Sequence, residues 1–465
     1  MNNTFDRRDF LKLVPLAATS YAISGCIRQS ATSPKAGLTR PNIIFIMADD
    51  LGYADLGCYG QKLIHTPSID RMAAEGMRFT QCYAGSTVCA PSRSVLMTGR
   101  HTGHTRVRGN FGKQGGVLVL DNGPPQRRVP LQPEDTTIAE VLKQAGYTTA
   151  ITGKWGLGEP DTPGVPKRKG FDHWLGYLNQ RRAHTYYPPY LWQNEEKLIL
   201  EANKDKAKGC YSHDLFTDFA LSFIREHKAQ PFFLYLAYTL PHAKFEIPDT
   251  APYTDKPWPE NAKAYAAMTA KLDTDVGRVL DLLKALQIDQ RTIVFFCSDN
   301  GAAPRPWPKI FDSCGPLRGK KQDLYEGGIR VPMIVRWPGR VPSGVESNTV
   351  WYFADVMPTL AELAHVSPPK NIDGVSILST LLGLKQDLHD RFLYWEYHAR
   401  NFSQAVRWRN FKAVRQSPDQ SLELYNLERD LAEQHNVAHQ YPQIIEQIED
   451  YLRTARTETP CWPVK

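Results

Sequence analysis

The sequence lacks several features that mark common classes of protein. No two of its eight cysteines have the CxxC spacing of a zinc site. The apolar run near the N-terminus is too short to span a bilayer. There is no long low-complexity tract, and with 42% hydrophobic and 23% charged residues the composition is that of an ordinary globular protein. The sequence therefore predicts a folded protein with a substantial core.

Basic residues are in excess but are not concentrated. The formal net charge of +7 is spread along the chain. A dispersed excess suits acidic ligands, whereas nucleic-acid-binding proteins usually carry a basic cluster, so nucleic acid is not an expected partner. At 465 residues the chain is long for one compact core, which predicts one large domain with a smaller domain appended.

Residues 1–33 are predicted to be an export signal and tether. Arg7 and Arg8 precede a short apolar stretch, the pattern of a twin-arginine signal. The stretch ends in ISGC, which is similar to a lipobox with Cys26 as the lipidated residue; a plain leader cleaved elsewhere is the alternative. We expect export to the periplasm or cell surface, with membrane contact only through such a lipid anchor.

Apolar, β-branched runs alternate with helical patterns, which predicts an α/β fold with a mostly parallel central sheet flanked by helices. Four of these runs lead into polar residues, and ligands of open α/β sheets bind at the carboxyl ends of strands. We therefore expect these side chains to meet at one edge of the sheet. They are Asp49 and Asp50, Lys154, His242, and Asp299 with Asn300.

The two acidic pairs indicate a metal site. Asp49, Asp50, Asp299 and Asn300 offer only oxygen ligands, which suit Ca²⁺ or Mg²⁺ rather than zinc. A capped loop is the usual explanation of one Asp-Asp pair, but two pairs at strand ends favour a cation. Such a cation would polarise an anionic ester.

Basic side chains are expected beside this metal. Lys154, Arg93 and a lysine of LRGKKQDLYEGG could neutralise a sulfate or phosphate. His242 could protonate the leaving oxygen. A structural role in the turn LPHAKF is the alternative for His242.

The segment STVCAPSRSVLMTGR predicts a helix that begins near Cys89. Pro91 suits its first turn and Gly99 its C-terminal stop. Cys89 would then lie where a helix N-terminus favours an anion. A buried cysteine is usually only a small hydrophobic residue, so the other motifs must decide its role.

From about Arg40 to its end, the sequence resembles the type I, formylglycine-dependent sulfatases of the alkaline phosphatase superfamily. The motifs follow the family's order: MADDLGYADLGCYG, TPSIDRMAAEGMRF, CAPSRSVLMTGR, GKWGLG, TLPH, SDNG and LYEGGIRVPMIVRWPG. The resemblance implies that a formylglycine-generating enzyme oxidises Cys89 to Cα-formylglycine. The hydrate of that aldehyde would attack sulfur, form a covalent sulfated intermediate and then expel sulfate.

The resemblance also implies a role for each matching residue. Asp49, Asp50, Asp299, Asn300 and modified Cys89 would form a calcium site, with Mg²⁺ as the alternative. Arg93 would steady the hydrate, Lys154 and Lys321 would bind sulfate, and His242 would be the general acid. Lys321 stands at the family's distance from YEGG; its neighbour Lys320 stays open as a substrate-binding residue.

One position departs from the family pattern. The family usually has GKWHLG, with the histidine contacting the modified residue, and here that position is Gly156. We hypothesise that His184, in NQRRAHTYYPPYLW, fills the gap; a plain loop position near the substrate is the alternative. The combination of GKWGLG with QRRAHTYYP resembles bacterial sulfatases that act on sulfated glycans. Arg181 and Arg182 could therefore grip a glycan, or form a solvated rim.

The predicted substrate is a sulfated oligosaccharide or polysaccharide, cut by an exo-acting enzyme at 4- or 6-sulfated galactose or N-acetylgalactosamine. Two alternatives stay open: a phosphoesterase or phosphonate hydrolase of the same superfamily, and a non-catalytic surface lipoprotein that binds sulfated glycans.

The predicted catalytic domain spans residues 38–388. Residues 389–465 change to short alternating stretches followed by the amphipathic IIEQIEDYLRTAR. This pattern predicts a smaller C-terminal domain of antiparallel sheet plus helix. His398 and Arg407 could reach the substrate cleft from it.

Overall fold

The computed structural model describes residues 39–120, 124–305, 307–399 and 401–464. The predicted export signal and Cys26 lie outside the described residues. Within these ranges the strands are β1 (Asn42–Ala48), β2 (Met77–Phe79), β3 (Cys82–Tyr83), β4 (Val117–Val119), β5 (Gln126–Arg128), β6 (Thr148–Lys154), β7 (His173–Tyr177), β8 (Tyr190–Gln193), β9 (Glu196–Ile199), β10 (Phe232–Ala237), β11 (Thr292–Ser298), β12 (Met333–Arg336), β13 (Val345–Ser347), β14 (Trp351–Tyr352), β15 (Phe392–Tyr397), β16 (Ser403–Trp408), β17 (Phe411–Arg415) and β18 (Glu423–Asn426).

Helices connect and cover these strands. They are α1 (Pro67–Ala74), α2 (Cys89–Thr98), α3 (Ile138–Gln144), α4 (Ser212–His227), α5 (Glu260–Ala285), α6 (Pro308–Phe311), α7 (Glu326–Ile329), α8 (Val356–Leu363), α9 (Leu378–Leu381) and α10 (Pro442–Leu452). No helix of the described ranges is long and apolar enough to cross a membrane.

The central sheet has ten strands in the order β13-β2-β12-β11-β1-β10-β6-β7-β8-β9. Its middle, from β11 to β7, is parallel, and antiparallel pairs flank it on both sides. Successive residues of β1 point to opposite faces, and all seven are buried. A strand buried on both faces needs helices on both, as in other parallel α/β sheets. The predicted mostly parallel sheet is confirmed.

The C-terminal region forms a separate antiparallel sheet in the order β15-β16-β17-β18. Ile448 and Leu452 of α10 pack with Tyr394 and Val406 of this sheet in one apolar cluster. The predicted antiparallel sheet with a terminal helix is therefore confirmed, while the domain boundary at residue 388 stays a prediction. Trp395 packs inward and donates from Nε1 to the Ala84 carbonyl at 2.8 Å.

Candidate active site

Two neighbouring strands bring the acidic pairs together. β1 and β11 are parallel, and Ala48 lies directly opposite Ser298. The residues that follow each strand, Asp49 and Asp299, are therefore adjacent, and both are fully buried. Asp50 has a positive φ of 63°, and its backbone N–H donates to Asp299 Oδ1 at 3.2 Å. The predicted meeting of these side chains at one edge of the sheet is observed.

Three buried cations match the three buried carboxylates. Lys154 Nζ, at the end of β6, lies 2.6 Å from Asp49 Oδ2. Arg93, on α2, donates from Nη2 and Nε to Asp299 Oδ2 at 2.9 and 3.1 Å. Lys321 Nζ lies 2.6 Å from Asp50 Oδ1. The cluster carries no net charge when all six groups are ionised, which is how ionised groups are tolerated in an interior.

The pKa values of Asp299 and Asp50 are shifted in opposite directions. Burial, together with the nearby charge of Asp49, raises the pKa of Asp299. Burial also acts to raise the pKa of Asp50, but the charge of Lys321 and the hydrogen bonds from Lys321 and Asn300 outweigh it and hold that pKa well below its ordinary value. Although burial opposes ionisation of Lys321, the charge of Asp50 raises the lysine pKa. Asp50 and Lys321 are therefore an ion pair at neutral pH.

Cys89 is the first residue of α2, as the sequence predicts, and Gly99 ends that helix with a φ of 66°. The Sγ of Cys89 lies 3.4 Å from Asp49 Oδ1 and 3.4 Å from Lys321 Nζ. Burial, with the charges of Asp299 and Asp49, raises the pKa of the thiol to about 12. The thiolate is the reactive form of cysteine, so an unmodified Cys89 is a poor nucleophile at neutral pH.

His242 lies in the turn after β10 and faces the same cluster. Its Nε2 is 3.3 Å from Asp50 Oδ2 and 3.4 Å from Lys321 Nζ. Its Nδ1 contacts the carbonyl of Ala243, which can only accept, so Nδ1 carries the proton. Burial lowers the pKa of His242 to about 3, and the charge of Lys321 acts in the same direction. The imidazole is then neutral, with Nε2 as an acceptor for Lys321.

His184 also reaches the site. It ends a 3-10 turn, Arg182–His184, and its ring stacks on that of His242 with centroids 3.9 Å apart and planes 15° apart. Burial, with the neighbouring His242, lowers the pKa of His184 well below its ordinary value. Its Nε2 is buried and has no hydrogen-bond partner in the part of the chain that the structure describes.

The residues present fit a hard divalent cation. Ligand atoms of Asp49, Asp50, Cys89 and His242 all lie within 4.8 Å of one another. Asn300 donates from Nδ2 to Asp50 Oδ1 at 2.8 Å, whereas its Oδ1 is buried without a partner among the described residues. An acceptor oxygen left over beside carboxylates is what Ca²⁺ or Mg²⁺ would use.

The other predicted substrate-binding residues lie around the cluster or away from it. Lys321 is buried in the cluster, while its neighbour Lys320 is exposed. His398 lines a cavity of about 210 Å³ that Lys321 also lines. Arg182 lies over the ring of Tyr190, 4.5 Å from its centroid, and lines a second cavity of about 250 Å³.

Arg181 and Arg407 both contact other parts of the chain. Arg181 donates from Nη1 to the Pro124 carbonyl at 3.0 Å. Arg407 is buried, donates to Gln81 Oε1 at 3.2 Å and lies near Tyr83. The structure thus places Arg407 between the C-terminal sheet and β3, and its contact with substrate stays a prediction.

Gln180 lies against Gly156, a contact that the sequence does not reveal. A Cβ built on Gly156 would lie 2.4 Å from Gln180 Oε1, so this amide occupies the space into which a side chain at position 156 would project. His184 reaches the site but stacks on His242 instead. The glycine at position 156 indicates from sequence that space is left there, but the sequence does not indicate which residue fills that space.

Comparison with known proteins places these residues in context. The family model "Sulfatase" matches residues 41–366, and "N-sulphoglucosamine sulphohydrolase, C-terminal" matches residues 319–458. The N-acetylgalactosamine-6-sulfatase of Canis lupus familiaris is 33% identical over 424 residues, 85% of this chain and 76% of that protein. An arylsulfatase of Hemicentrotus pulcherrimus is 34% identical over 398 residues, 82% of this chain and 68% of that protein.

A solved structure is similar over nearly the whole length of the chain. The crystal structure of Ps i-CgsB in complex with k-i-k-neocarrahexaose has a TM-score of 0.79 and 28% identity, and the match covers 92% of this chain and 95% of that one.

Proposed function

The chain belongs to the sulfatase family and is a sulfuric ester hydrolase, and from this premise we propose that it removes sulfate from sulfated glycans. We propose 4- or 6-sulfated galactose or N-acetylgalactosamine at chain ends as the substrate. The names of the N-acetylgalactosamine-6-sulfatases and the oligosaccharide bound to Ps i-CgsB support this choice.

The observation that carries the proposal is the place of Cys89. Its Sγ lies between Asp49 Oδ1 and Lys321 Nζ, at 3.4 Å from each, at the start of a helix and inside a buried ionic cluster. Because its thiol is held protonated, the position needs a different nucleophile. Formylglycine at residue 89 would supply, as its hydrate, an oxygen nucleophile and a release of sulfate that needs no attack of water on sulfur.

Lys154, Lys321 and Arg93 would stabilise the negative charge of the reacting sulfuryl group. Fixed cations in a buried site act strongly because water does not screen them and no reorganisation is needed. We propose that Ca²⁺, with Mg²⁺ as the alternative, binds Asp49, Asp50, Asp299 and Asn300, where it would polarise the ester.

We assign delivery of a proton to the leaving oxygen to Lys321 and His242 acting together. As the S–O bond to the sugar breaks, Lys321 Nζ would transfer a proton to the leaving oxygen. Neutral His242, whose Nε2 lies 3.4 Å from Nζ, would accept a second N–H of that ammonium and orient it. A sugar alkoxide is a poor leaving group, so it needs this proton far more than a nitrophenolate does. We therefore expect His242→Ala to slow hydrolysis of N-acetylgalactosamine 6-sulfate much more than hydrolysis of 4-nitrophenyl sulfate. Equal losses on both substrates would contradict this assignment.

The first test is the chemical state of residue 89. Trypsin releases Phe79 to Arg93 as one peptide, which contains Cys82 as an internal thiol control. We expect a hydrazine reagent to capture position 89 and iodoacetamide to label Cys82 alone, in protein made in a host with the maturation enzyme. Two alkylated cysteines in that protein would contradict a formylglycine mechanism. Turnover of sulfate esters over matched phosphate and phosphonate esters would then exclude a phosphoesterase.

We also propose that the protein is exported by a twin-arginine pathway and tethered through Cys26. The support is the sequence pattern at Arg7, Arg8 and ISGC. Replacing both arginines with lysine should retain the protein in the cytoplasm, and Cys26→Ala should release exported protein from the membrane fraction. Membrane retention of the Cys26→Ala chain would contradict the lipid anchor.

A further inference from the structure

Gln180 is buried, and its side-chain amide makes no hydrogen bond to the described residues. Its side chain is only 2% exposed, and neither Oε1 nor Nε2 has a hydrogen-bond partner among residues 39–120, 124–305, 307–399 and 401–464. Folded proteins pair nearly all buried polar groups, because an amide removed from water without a partner is destabilising. A buried polar group left unpaired therefore needs an explanation, and a role in catalysis or in binding a ligand is one.

The Gln180 amide lies at the edge of the sheet formed by the carboxyl ends of the parallel strands, the edge that also carries the ionic cluster. β6 and β7 are parallel neighbours, with Lys154 opposite Tyr177. The chain continues from both strands at the same edge, where Trp155 N–H donates to the Tyr177 carbonyl at 3.0 Å and Gly156 N–H to the Leu178 carbonyl at 3.2 Å. Gly156 therefore lies two residues after β6 and Gln180 three residues after β7, at the same edge of the sheet.

The contact with Gly156 fixes where the amide lies. Gln180 Oε1 would be 2.4 Å from a Cβ at position 156, two residues after Lys154, whose Nζ binds Asp49 beside Cys89. Four residues after Gln180, His184 stacks on His242 and has its own unpaired Nε2. The loop after β7 thus presents two unpaired polar side chains close to the charged cluster.

We propose that Gln180 is a substrate-binding residue, with Nε2 donating to a sulfuryl oxygen of the bound ester; this inference rests on the proposed function. A sulfate monoester offers only acceptors around sulfur, and an amide N–H is the group at Gln180 that matches them. The lysines of the cluster supply charge, whereas the amide supplies a directed, neutral donor. The destabilising burial of Gln180 is retained because the substrate satisfies it.

Methionine at position 180 tests this inference because it keeps the length of the side chain and removes both hydrogen-bonding atoms. Gln404 of β16 is the matched control: it is also buried, but its Nε2 donates to Tyr394 Oη at 2.8 Å, far along the chain from Cys89. Each variant is assayed on 4-methylumbelliferyl sulfate and N-acetylgalactosamine 6-sulfate, and its urea unfolding midpoint is measured.

The two variants should behave in opposite ways. Gln180→Met should lose about 100-fold in kcat/KM, as expected for loss of one preorganised donor to a developing anion, with an unfolding midpoint that is unchanged or higher. Gln404→Met should keep its kcat/KM and have a lower midpoint, because it loses a hydrogen bond that is made in the folded protein.

A binding measurement separates substrate contact from other effects on rate. In the Cys89→Ala chain, which cannot form an aldehyde, adding Gln180→Met should weaken binding of inorganic sulfate by roughly tenfold. Turnover and sulfate binding by Gln180→Met equal to those of the parent chain would overturn this inference alone. Absence of any sulfate-ester turnover by the parent chain with residue 89 converted would overturn the proposed function, and this inference with it.

Discussion

Replacing Lys154 with methionine should reduce both stability and activity, and the structure allows the two effects to be separated. Lys154 Nζ lies 2.6 Å from Asp49 Oδ2, and both side chains are fully buried. At an effective dielectric constant of about 20 the attraction between these charges is about 6 kcal/mol. Desolvation of the two groups offsets much of it, and removal of one partner of a buried pair typically costs about 3–5 kcal/mol. Arg93 Nη2, 3.7 Å from the same oxygen, compensates part of the exposed charge, so we expect about 3 kcal/mol.

The same substitution should lower kcat by about 100- to 1000-fold, because it removes a cation that we propose stabilises the reacting sulfuryl group. Urea unfolding measures the first effect, and hydrolysis of 4-methylumbelliferyl sulfate measures the second. Asp49→Asn in the Lys154→Met chain should recover most of the lost stability, because no unpaired carboxylate is then buried. It should recover no activity, because Asp49 is also a proposed metal ligand.

Lys143→Met is the control for loss of a lysine ion pair as such. Lys143 pairs with Asp172 at the surface, where its side chain is 53% exposed. Exposed pairs contribute about 0–1 kcal/mol, so this variant should resemble the parent chain. The reasoning fails if Lys154→Met is as stable as Lys143→Met, or if the Asp49→Asn double variant is no more stable than Lys154→Met alone.

Three further predictions follow from other features. Ca²⁺ at 100 times its Kd should stabilise the parent chain by about 2.7 kcal/mol in urea unfolding, and Asp50→Asn should abolish that increment; an equal increment in the variant would contradict the metal assignment. Gly156 and Gly339 have φ values of 75° and 74°, but only the first has a neighbour, Gln180, within 4 Å of a built Cβ. Alanine should therefore cost about 1–2 kcal/mol at position 339 and at least about 1 kcal/mol more at 156, and equal unfolding free energies would refute the overlap. Although burial acts to raise the pKa of Asp275, its histidine and lysine neighbours hold it below the ordinary value of 3.8. That stabilisation is present above the ordinary value and lost as pH falls below it. The unfolding free energy should therefore fall below about pH 4 in the parent chain and fall less steeply in Asp275→Asn, and parallel pH curves would contradict this.

Much of the site could be predicted because its residues are tied to local sequence patterns. Asp49 and Asp299 directly follow strands whose unbroken apolar character shows that they are central. Parallel strands align their carboxyl ends, so the meeting of these residues follows from strand order alone. Cys89 and Gly99 mark the two ends of α2 for reasons that are equally local, a first-turn proline nearby and a left-handed stop.

The remaining features depend on packing between distant segments, which no local pattern encodes. Gln180 meets Gly156 across two loops, and His184 lies on His242 although 58 residues separate them in sequence. Arg407 occurs in an alternating stretch that correctly predicts a strand, but alternation alone does not say which surface each face meets. It faces β3, and its place there follows from how the C-terminal sheet packs.

The burial of Cys89 bears on whether this residue could be modified before or after the chain folds. In the folded protein Cys89 is 0% exposed. Arg93 of α2 and Lys154 both pair with Asp49 beside it, and these ion pairs hold α2 against the sheet. If residue 89 is converted to formylglycine as we propose, the converting enzyme would need access to a side chain that the folded protein buries. Conversion would then have to precede the docking of α2 against the sheet. Protein that folds first would keep an unmodified Cys89 and lack the proposed nucleophile, so the yield of active protein would depend on the relative rates of folding and modification.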